Sequence, residues 1–175
     1  MPHRAYRFAG AMRPLIPLLL LFSHSGSSLP TQSFAVNAAI VNGCVISGTN
    51  TGVYGTLNFG TLPAIGTYSA NASLVQNATI TLACTPGTTL NMSINGGSYY
   101  ASGSRKLQQT TGTNRVAYSL YSNAGLTTAI PVNQNVALSY SNANNIILPV
   151  YGHLQVTGVN TAGSYTDTLT VTLNW

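Results

Sequence analysis

The sequence predicts an all-β protein, folded as an antiparallel sandwich of short strands. Apolar and polar residues alternate with a period of two over several short runs, which places them on opposite faces of a strand. Clusters of Gly, Asn, Ser and Pro separate these runs and predict turns between them. No stretch has helical periodicity over three turns. Strands at regular spacing with such turns are typical of a β-sandwich.

Residues 165–175 alternate strictly: Thr and Asn fill one face, and Tyr, Leu, Val and Trp share the other face with Asp167. This pattern predicts a strand over the whole run. Four further runs predict strands in the same way: 77–84, 90–94, 116–121 and 146–156. Within the last of these, Pro149 and Gly152 mark a bend, a bulge or an edge position. Residues 63–76 are irregular, and both a strand and a short helix stay open there.

The first part of the chain has the three-part pattern of a secretory signal peptide. Three arginines precede the apolar run 14–22, and small and polar residues follow it. We predict a signal peptide over residues 1–28, with its end between residues 25 and 35, because small residues have the required spacing at both 23–25 and 33–35. The apolar run is shorter than the roughly 20 residues that a membrane span needs. An uncleaved anchor or a buried strand are the alternatives.

Charged residues are rare, which excludes several classes of function. Only 4% of the 175 residues are charged, and the chain has a single carboxylate side chain, Asp167. Paired-carboxylate hydrolysis and carboxylate-held metal clusters need more acidic groups. We therefore predict no catalytic residues, no metal site and no cofactor. Once the signal peptide is removed, Arg105, Lys106 and Arg115 face one anion, so three positive charges and one negative charge give +2.

Such a small charge predicts no nucleic-acid partner, because nucleic-acid readers need a clustered basic face. Arg105 and Lys106 are adjacent in the sequence, and we interpret them as a solvated strand end. We expect Asp167 to accept hydrogen bonds from turn N–H groups or to pair with Arg105 or Arg115.

The chain contains two cysteines, Cys44 and Cys84. An exported protein with two cysteines favours one disulfide. Closing a loop of this length would stabilise the fold by roughly 4 kcal/mol in the chain-entropy model. A metal pair is an alternative, although no second Cys or His pair is present to complete four ligands. Two free buried thiols are the other alternative.

A strand-like run directly precedes Cys44, where the compact domain begins. Apolar residues alternate in it at Phe34, Val36, Ala38 and Ile40. Domain termini are usually polar and frayed, so an apolar alternating extension is costly unless it is paired. It pairs either within its own domain or with the sheet of a neighbour, by strand addition.

Eight short motifs, in their order and spacing, resemble the spore coat protein U domain family, which includes the subunits of archaic, Csu-type chaperone–usher pili. The resemblance covers residues 34–175, and the cysteine positions and the aromatic C-terminus add to its specificity. The motifs are NGC at 42–44, NFG at 58–60, CTPG at 84–87, NGG at 95–97, RKL at 105–107, VAYSLY at 116–121, PVYG at 149–152 and GSYTDTLTVTLNW at 163–175.

The resemblance implies an incomplete immunoglobulin-like β-sandwich, which lacks its last strand and is completed by donor strand exchange. Residues 29–42 would be the donor-strand extension and residues 43–175 the pilin domain. A periplasmic chaperone lends a strand first. At the outer-membrane usher, the extension of the next subunit replaces that strand.

The resemblance also assigns roles to single residues. Cys44 and Cys84 would form the disulfide of the fold. The donor residues would be Phe34, Val36, Ala38 and Ile40. The strand that borders the groove and meets the chaperone would present Leu169, Val171, Leu173 and Trp175.

The function that the resemblance implies is that of a structural subunit, either a shaft or a minor pilin. The subunit would be exported through the periplasm into an extracellular surface pilus, where it would polymerise with neighbouring pilins and serve adhesion and biofilm formation. The alternative is a secreted coat or matrix protein with the same domain that does not polymerise through an usher. The lack of carboxylates argues against an enzyme.

Overall fold

A computed structural model describes residues 35–48 and 53–175. The predicted signal peptide and Phe34 therefore lie outside the described residues. All the strands of the described residues belong to one unit, Ala39–Trp175. The described residues 35–38 belong to the other unit and have no strand.

The part of the chain that the structure describes contains eleven strands and no helix, and every strand pairing is antiparallel. The prediction of an all-β protein is thereby confirmed. The strands are β1 (Cys44–Gly48), β2 (Gly55–Leu57), β3 (Tyr68–Gln76), β4 (Ile80–Cys84), β5 (Leu90–Ile94), β6 (Arg105–Gln109), β7 (Arg115–Tyr121), β8 (Val136–Leu138), β9 (Tyr151–Val156), β10 (Tyr165–Thr166) and β11 (Val171–Asn174).

The strands form a sandwich with one hydrophobic core. One layer is a six-stranded sheet in the order β10-β6-β7-β9-β3-β2. The other layer consists of two separate pieces, the pair β1-β4 and the three-stranded sheet β11-β5-β8. Side chains from both layers meet in a single buried cluster, because alternate residues of each strand point inward. Its most deeply buried members are Leu82, Leu90, Met92, Ile94, Leu120, Ile130 and Ile146.

Most predicted strands lie where the alternation places them. The runs 90–94 and 116–121 correspond to β5 and β7, and residues 80–84 of the run 77–84 form β4. The long strand predicted from residue 146 begins only at Tyr151, just after Pro149, which has no N–H group to give to a ladder. The irregular segment resolves into a strand, since β3 occupies its second half.

The prediction of one strand over residues 165–175 is wrong. β10 pairs with β6 in the six-stranded sheet, whereas β11 pairs with β5 in the other layer, so the chain crosses between the layers. Asp167 anchors the crossing: its carboxylate accepts the N–H groups of Ser98 and Thr168 at 2.8 Å and the hydroxyl of Tyr118 at 2.7 Å. Period-two alternation continues across such a crossing because both strands direct alternate residues into the same core.

Arg105 is buried, so its interpretation as a solvated strand end is wrong. It is 5% exposed, and its guanidinium donates hydrogen bonds of 2.8–2.9 Å to the carbonyls of Asn95, Ile130 and Ile94. Burial lowers the pKa of Arg105 below its ordinary value. Arg105 has the same parity as Leu107 along β6 and therefore shares its inward face, where the carbonyls at neighbouring strand ends take the place of water.

The disulfide between Cys44 and Cys84 is confirmed. The two residues are direct partners in the register of β1 and β4, with Cα atoms 4.0 Å apart. Their bond joins the first residue of β1 to the last residue of β4. β1 is therefore attached covalently to β4, the strand that contains the buried side chain of Leu82.

Candidate functional site: an open groove between β1 and β11

In the layer that consists of two pieces, the edges of β1 and β11 that border one cavity have no strand partner among the described residues. β1 pairs only with β4, and β11 pairs only with β5. A cavity of about 620 Å³ lies between these two edges. Its lining consists of Cys44, Val45, Ile46, Tyr54, Leu82, Leu148, Thr170, Val171, Thr172, Leu173 and Trp175. We call this cavity the groove.

The groove is apolar and opens directly onto the hydrophobic core. Leu82 and Leu148 are buried core residues that also line it. Ile46 faces the same side of β1 as Cys44 but is 58% exposed, because no described residue covers it on the groove side. On the opposite wall, Val171 and Leu173 pack partly against the core. Apolar area left in contact with water in this way disfavours the structure by about 25 cal/mol per Å².

Three residues with hydroxyl groups line the groove, Tyr54, Thr170 and Thr172, and the phenol of Tyr54 is the one whose pKa is shifted. Its hydroxyl donates a hydrogen bond of 2.9 Å to Oε1 of Gln76, and burial raises the pKa of Tyr54 to about 12. The hydroxyl therefore stays protonated at physiological pH. None of the side chains that line the groove is charged, so the lining suits uncharged side chains of a ligand.

Free main-chain groups at both edges, together with an apolar floor, suit one kind of ligand. An extended peptide that enters such a space hydrogen-bonds to both edges and buries alternate side chains in the floor. Among the described residues, no group of three or more His, Cys, Asp or Glu side chains is placed to hold a metal ion. Asp167, the acidic side chain of the chain, already accepts three hydrogen bonds at the layer crossing. The described residues contain no helix that is long and apolar enough to cross a membrane.

The structure brings together three of the four residues predicted for the groove edge. Val171, Leu173 and Trp175 line the groove, whereas Leu169 packs against the core just before β11 and is not part of the lining. The sequence interpretation did not identify the opposite wall. The sequence shows that two adjacent apolar residues, Val45 and Ile46, directly follow Cys44, but only the sheet order shows that their strand pairs on one side.

The residues predicted as a donor strand are exposed where the structure describes them. Val36 and Ile40 are 81% and 92% exposed, and residues 35–43 have no strand assignment. Gly43 continues the pairing of β1, since its carbonyl accepts the N–H of Thr85 at 2.9 Å. Phe34 lies outside the described residues.

Residues 30–172 match the family model of the Spore Coat Protein U domain. The chain belongs to this family. The predicted family is therefore confirmed. The matched residues include both walls of the groove except for Leu173 and Trp175. No curated protein matches the chain significantly.

Two solved structures with a chaperone in the complex are similar to this spore coat U domain. One is the pre-assembly complex of the chaperone CsuC with the tip adhesion subunit CsuE, from the archaic chaperone–usher Csu pili of Acinetobacter baumannii. It is 18% identical, with a TM-score of 0.46, and the match covers 78% of this chain and 40% of that chain. The other is a chaperone–tip adhesin complex described for the biogenesis of CFA/I fimbriae. It is 16% identical, with a TM-score of 0.40, and the match covers 74% of this chain and 40% of that chain. The chain thus spans 40% of the length of both.

Proposed function

We propose that this protein is a structural subunit, either a shaft or a minor pilin, of an extracellular pilus assembled by a chaperone–usher pathway. The observation that carries the proposal is the apolar groove between the unpaired edges of β1 and β11. A strand inserted there joins β1-β4 and β11-β5-β8 into one continuous sheet. β1 and β11 then each have a strand partner on both sides, and the layer is continuous as in a complete sandwich.

The strand that fills the groove is the N-terminal extension of another subunit, residues 29–42. Its alternating residues Phe34, Val36, Ala38 and Ile40 enter the groove, and their exposure in the described part supports this role. Burying Val36 and Ile40 contributes about 1.5–3 kcal/mol each. Ala38 contributes less because it is small, so its position in the groove needs only a shallow pocket.

A subunit that offers a strand at one end and a groove at another makes head-to-tail contacts. Such contacts do not close on themselves and build an open filament. Before assembly, a periplasmic chaperone occupies the groove and protects it, and an outer-membrane usher exchanges that strand for the extension of the next pilin. The pilus serves attachment and biofilm formation at the cell surface, and the subunit itself has no catalytic role.

Deletion of residues 29–41 tests the donor assignment. The truncated chain keeps the groove, so it co-purifies with a co-expressed chaperone at the level of the intact chain. It forms no fibres when the intact subunit is absent, because no donor strand is available. Fibres built by the truncated chain alone would overturn the assignment.

A pair of matched substitutions tests the groove. Ile46 and Val75 are both β-branched strand residues, 58% and 69% exposed, but Val75 is not part of the groove lining. Ile46→Asp places a carboxylate where the donor side chains are buried, and we expect at least about a tenfold loss of chaperone co-purification and of fibre yield. Val75→Asp leaves both unchanged.

The alternative, a secreted coat or matrix protein, gives a different outcome. In that case the intact chain is a stable, soluble monomer without any chaperone, and Ile46→Asp behaves like Val75→Asp. Size-exclusion chromatography of the chain expressed with and without the chaperone distinguishes the two functions.

A further inference from the structure

The charged side chains of the described residues are divided between the interior and one outer face. Arg105 and Asp167 point into the sandwich, where Arg105 binds carbonyls and Asp167 binds Tyr118 and two N–H groups. Lys106 and Arg115 lie on β6 and β7, with the opposite parity to the inward residues of these strands. The two cations of the described residues other than Arg105 therefore lie on the outer face of the six-stranded sheet.

Lys106 and Arg115 are close neighbours on that face. Lys106 is the register partner of Ala117, and Gln108 is the partner of Arg115. Lys106 and Arg115 are thus diagonal neighbours on adjacent strands, a relationship that places residues about 7–8 Å apart. No carboxylate of the described residues is on this face, so the repulsion between the two cations is not compensated.

The guanidinium of Arg115 is held in a fixed orientation. Its Nε donates a hydrogen bond of 2.8 Å to Oε1 of Gln108, and its Cζ lies 5.4 Å from the centre of the Tyr99 ring. Its two terminal amino groups make no hydrogen bond to any described residue. A guanidinium that is fixed on one side and free on the other presents a two-pronged donor to an oxyanion.

Most of the other outward side chains are polar and carry hydroxyl, amide or imidazole groups, although Ala117 and Val75 are exposed apolar residues on the same face. On β9, His153 is in register with Ser119 on one side and with Asn71 on the other. Nδ1 of His153 and Oδ1 of Asn71 share a hydrogen bond of 2.7 Å. Gln155 is exposed on the same face. Such groups can both donate hydrogen bonds to sugar hydroxyls and accept hydrogen bonds from them.

We propose that the outer face of the six-stranded sheet binds an acidic polysaccharide, with Lys106 and Arg115 holding one of its carboxylate or sulfate groups. The charge complementarity selects an anion, and the surrounding amides and hydroxyls suit the neutral hydroxyl groups between the charges of such a polymer. A nucleic acid has a phosphate at every residue and needs a larger basic surface than two cations provide. This inference does not depend on the proposed function, because it uses the face opposite to the core.

Binding of the exported full-length chain to immobilised dextran sulfate and polygalacturonate tests this site, with neutral dextran as the reference. We expect binding to both acidic polymers, weakening as salt is raised, and none to neutral dextran. The double variant Lys106→Gln, Arg115→Gln weakens binding by about tenfold or more, since two charge-assisted contacts are lost. The matched variant Lys106→Arg keeps the charge and stays within about twofold of the wild type.

Near-UV circular dichroism and the intact disulfide serve as controls for folding, and both substituted positions point outward, so the fold is retained. Equal binding by the wild type and the double variant would overturn the proposal. Equal binding of neutral and acidic dextrans would also overturn it. Tighter binding of duplex DNA, or of vesicles with anionic lipid, than of the acidic polysaccharides would show that the assigned ligand class is wrong.

Discussion

Ile46 and Leu82 are direct partners in the antiparallel register of β1 and β4 and point to the same side, yet Leu82 is fully buried whereas Ile46 is 58% exposed. A strand partner normally shares the environment of the residue opposite to it. The difference arises because β11 approaches from the far side of the groove without pairing with β1. Ile46 therefore occupies a core position that lacks its cover.

The buried guanidinium of Arg105 gives the first prediction. Replacing it in Arg105→Met leaves several buried carbonyls without a donor, and we expect a loss of about 2–4 kcal/mol in the free energy of unfolding. The adjacent Lys106→Met changes an outward side chain and stays within about 0.5 kcal/mol of the wild type. Urea denaturation of the two variants checks this, and equal stability would contradict the role of Arg105.

The burial of Arg105 could be predicted only in part from the sequence. Two adjacent basic residues suggest side chains exposed to solvent. The parity of Arg105 with Leu107 along the strand, however, correctly indicates that Arg105 faces inward. The carbonyls of Ile94 and Ile130 that receive the guanidinium come from distant segments, and a single sequence does not reveal them.

The crossing between the layers could also be predicted only in part from the sequence. Alternation over residues 165–175 identifies the inward residues, because Leu169, Val171 and Leu173 all pack against the core. It does not reveal that Asp167 ends one strand by binding Ser98 and Tyr118, which are far from it in the sequence. The aromatic and apolar wall of the groove on β11 was predictable, but the wall on β1 depends on a missing neighbour, which only the sheet order shows.

Two glycines give a second, matched prediction. Gly97 and Gly87 have nearly the same backbone conformation, with φ of +84° and +81°. A Cβ atom on Gly97 would collide with the carboxylate of Asp167, whereas a Cβ on Gly87 meets nothing within 4 Å. Both alanine variants have the strain of a positive φ, about 1 kcal/mol. We expect Gly97→Ala to lower the melting temperature well beyond Gly87→Ala, and equal shifts would contradict the placement of Asp167.

The third prediction concerns alkaline pH. The pKa of Tyr54 is raised to about 12 from an ordinary value of 10, because burial disfavours the phenolate. Its folded-state pKa lies above the unfolded value, so its contribution to stability is complete below about pH 10 and is lost as the pH rises toward 12. Burial and the hydrogen bond to Asp167 raise the pKa of Tyr118 in the same direction.

Urea denaturation between neutral and alkaline pH measures this dependence. Tyr54→Phe loses the hydrogen bond to Gln76 at neutral pH, about 1 kcal/mol, but its stability then falls less steeply than that of the wild type as the pH rises. Identical slopes for the wild type and Tyr54→Phe would show that Tyr54 is not the buried phenol at the groove.

The most direct test of the open groove uses the donor strand as a separate peptide. A chain that lacks residues 29–41 is purified in complex with the chaperone, and a synthetic peptide of residues 29–42 is added. The account predicts that the peptide displaces the chaperone and raises the melting temperature of the subunit by on the order of 10 °C, because Val36 and Ile40 become buried. A peptide with Val36→Asp and Ile40→Asp does neither. If both peptides act alike, or if the wild-type peptide leaves chaperone and melting temperature unchanged, the groove between β1 and β11 is not a site for this strand.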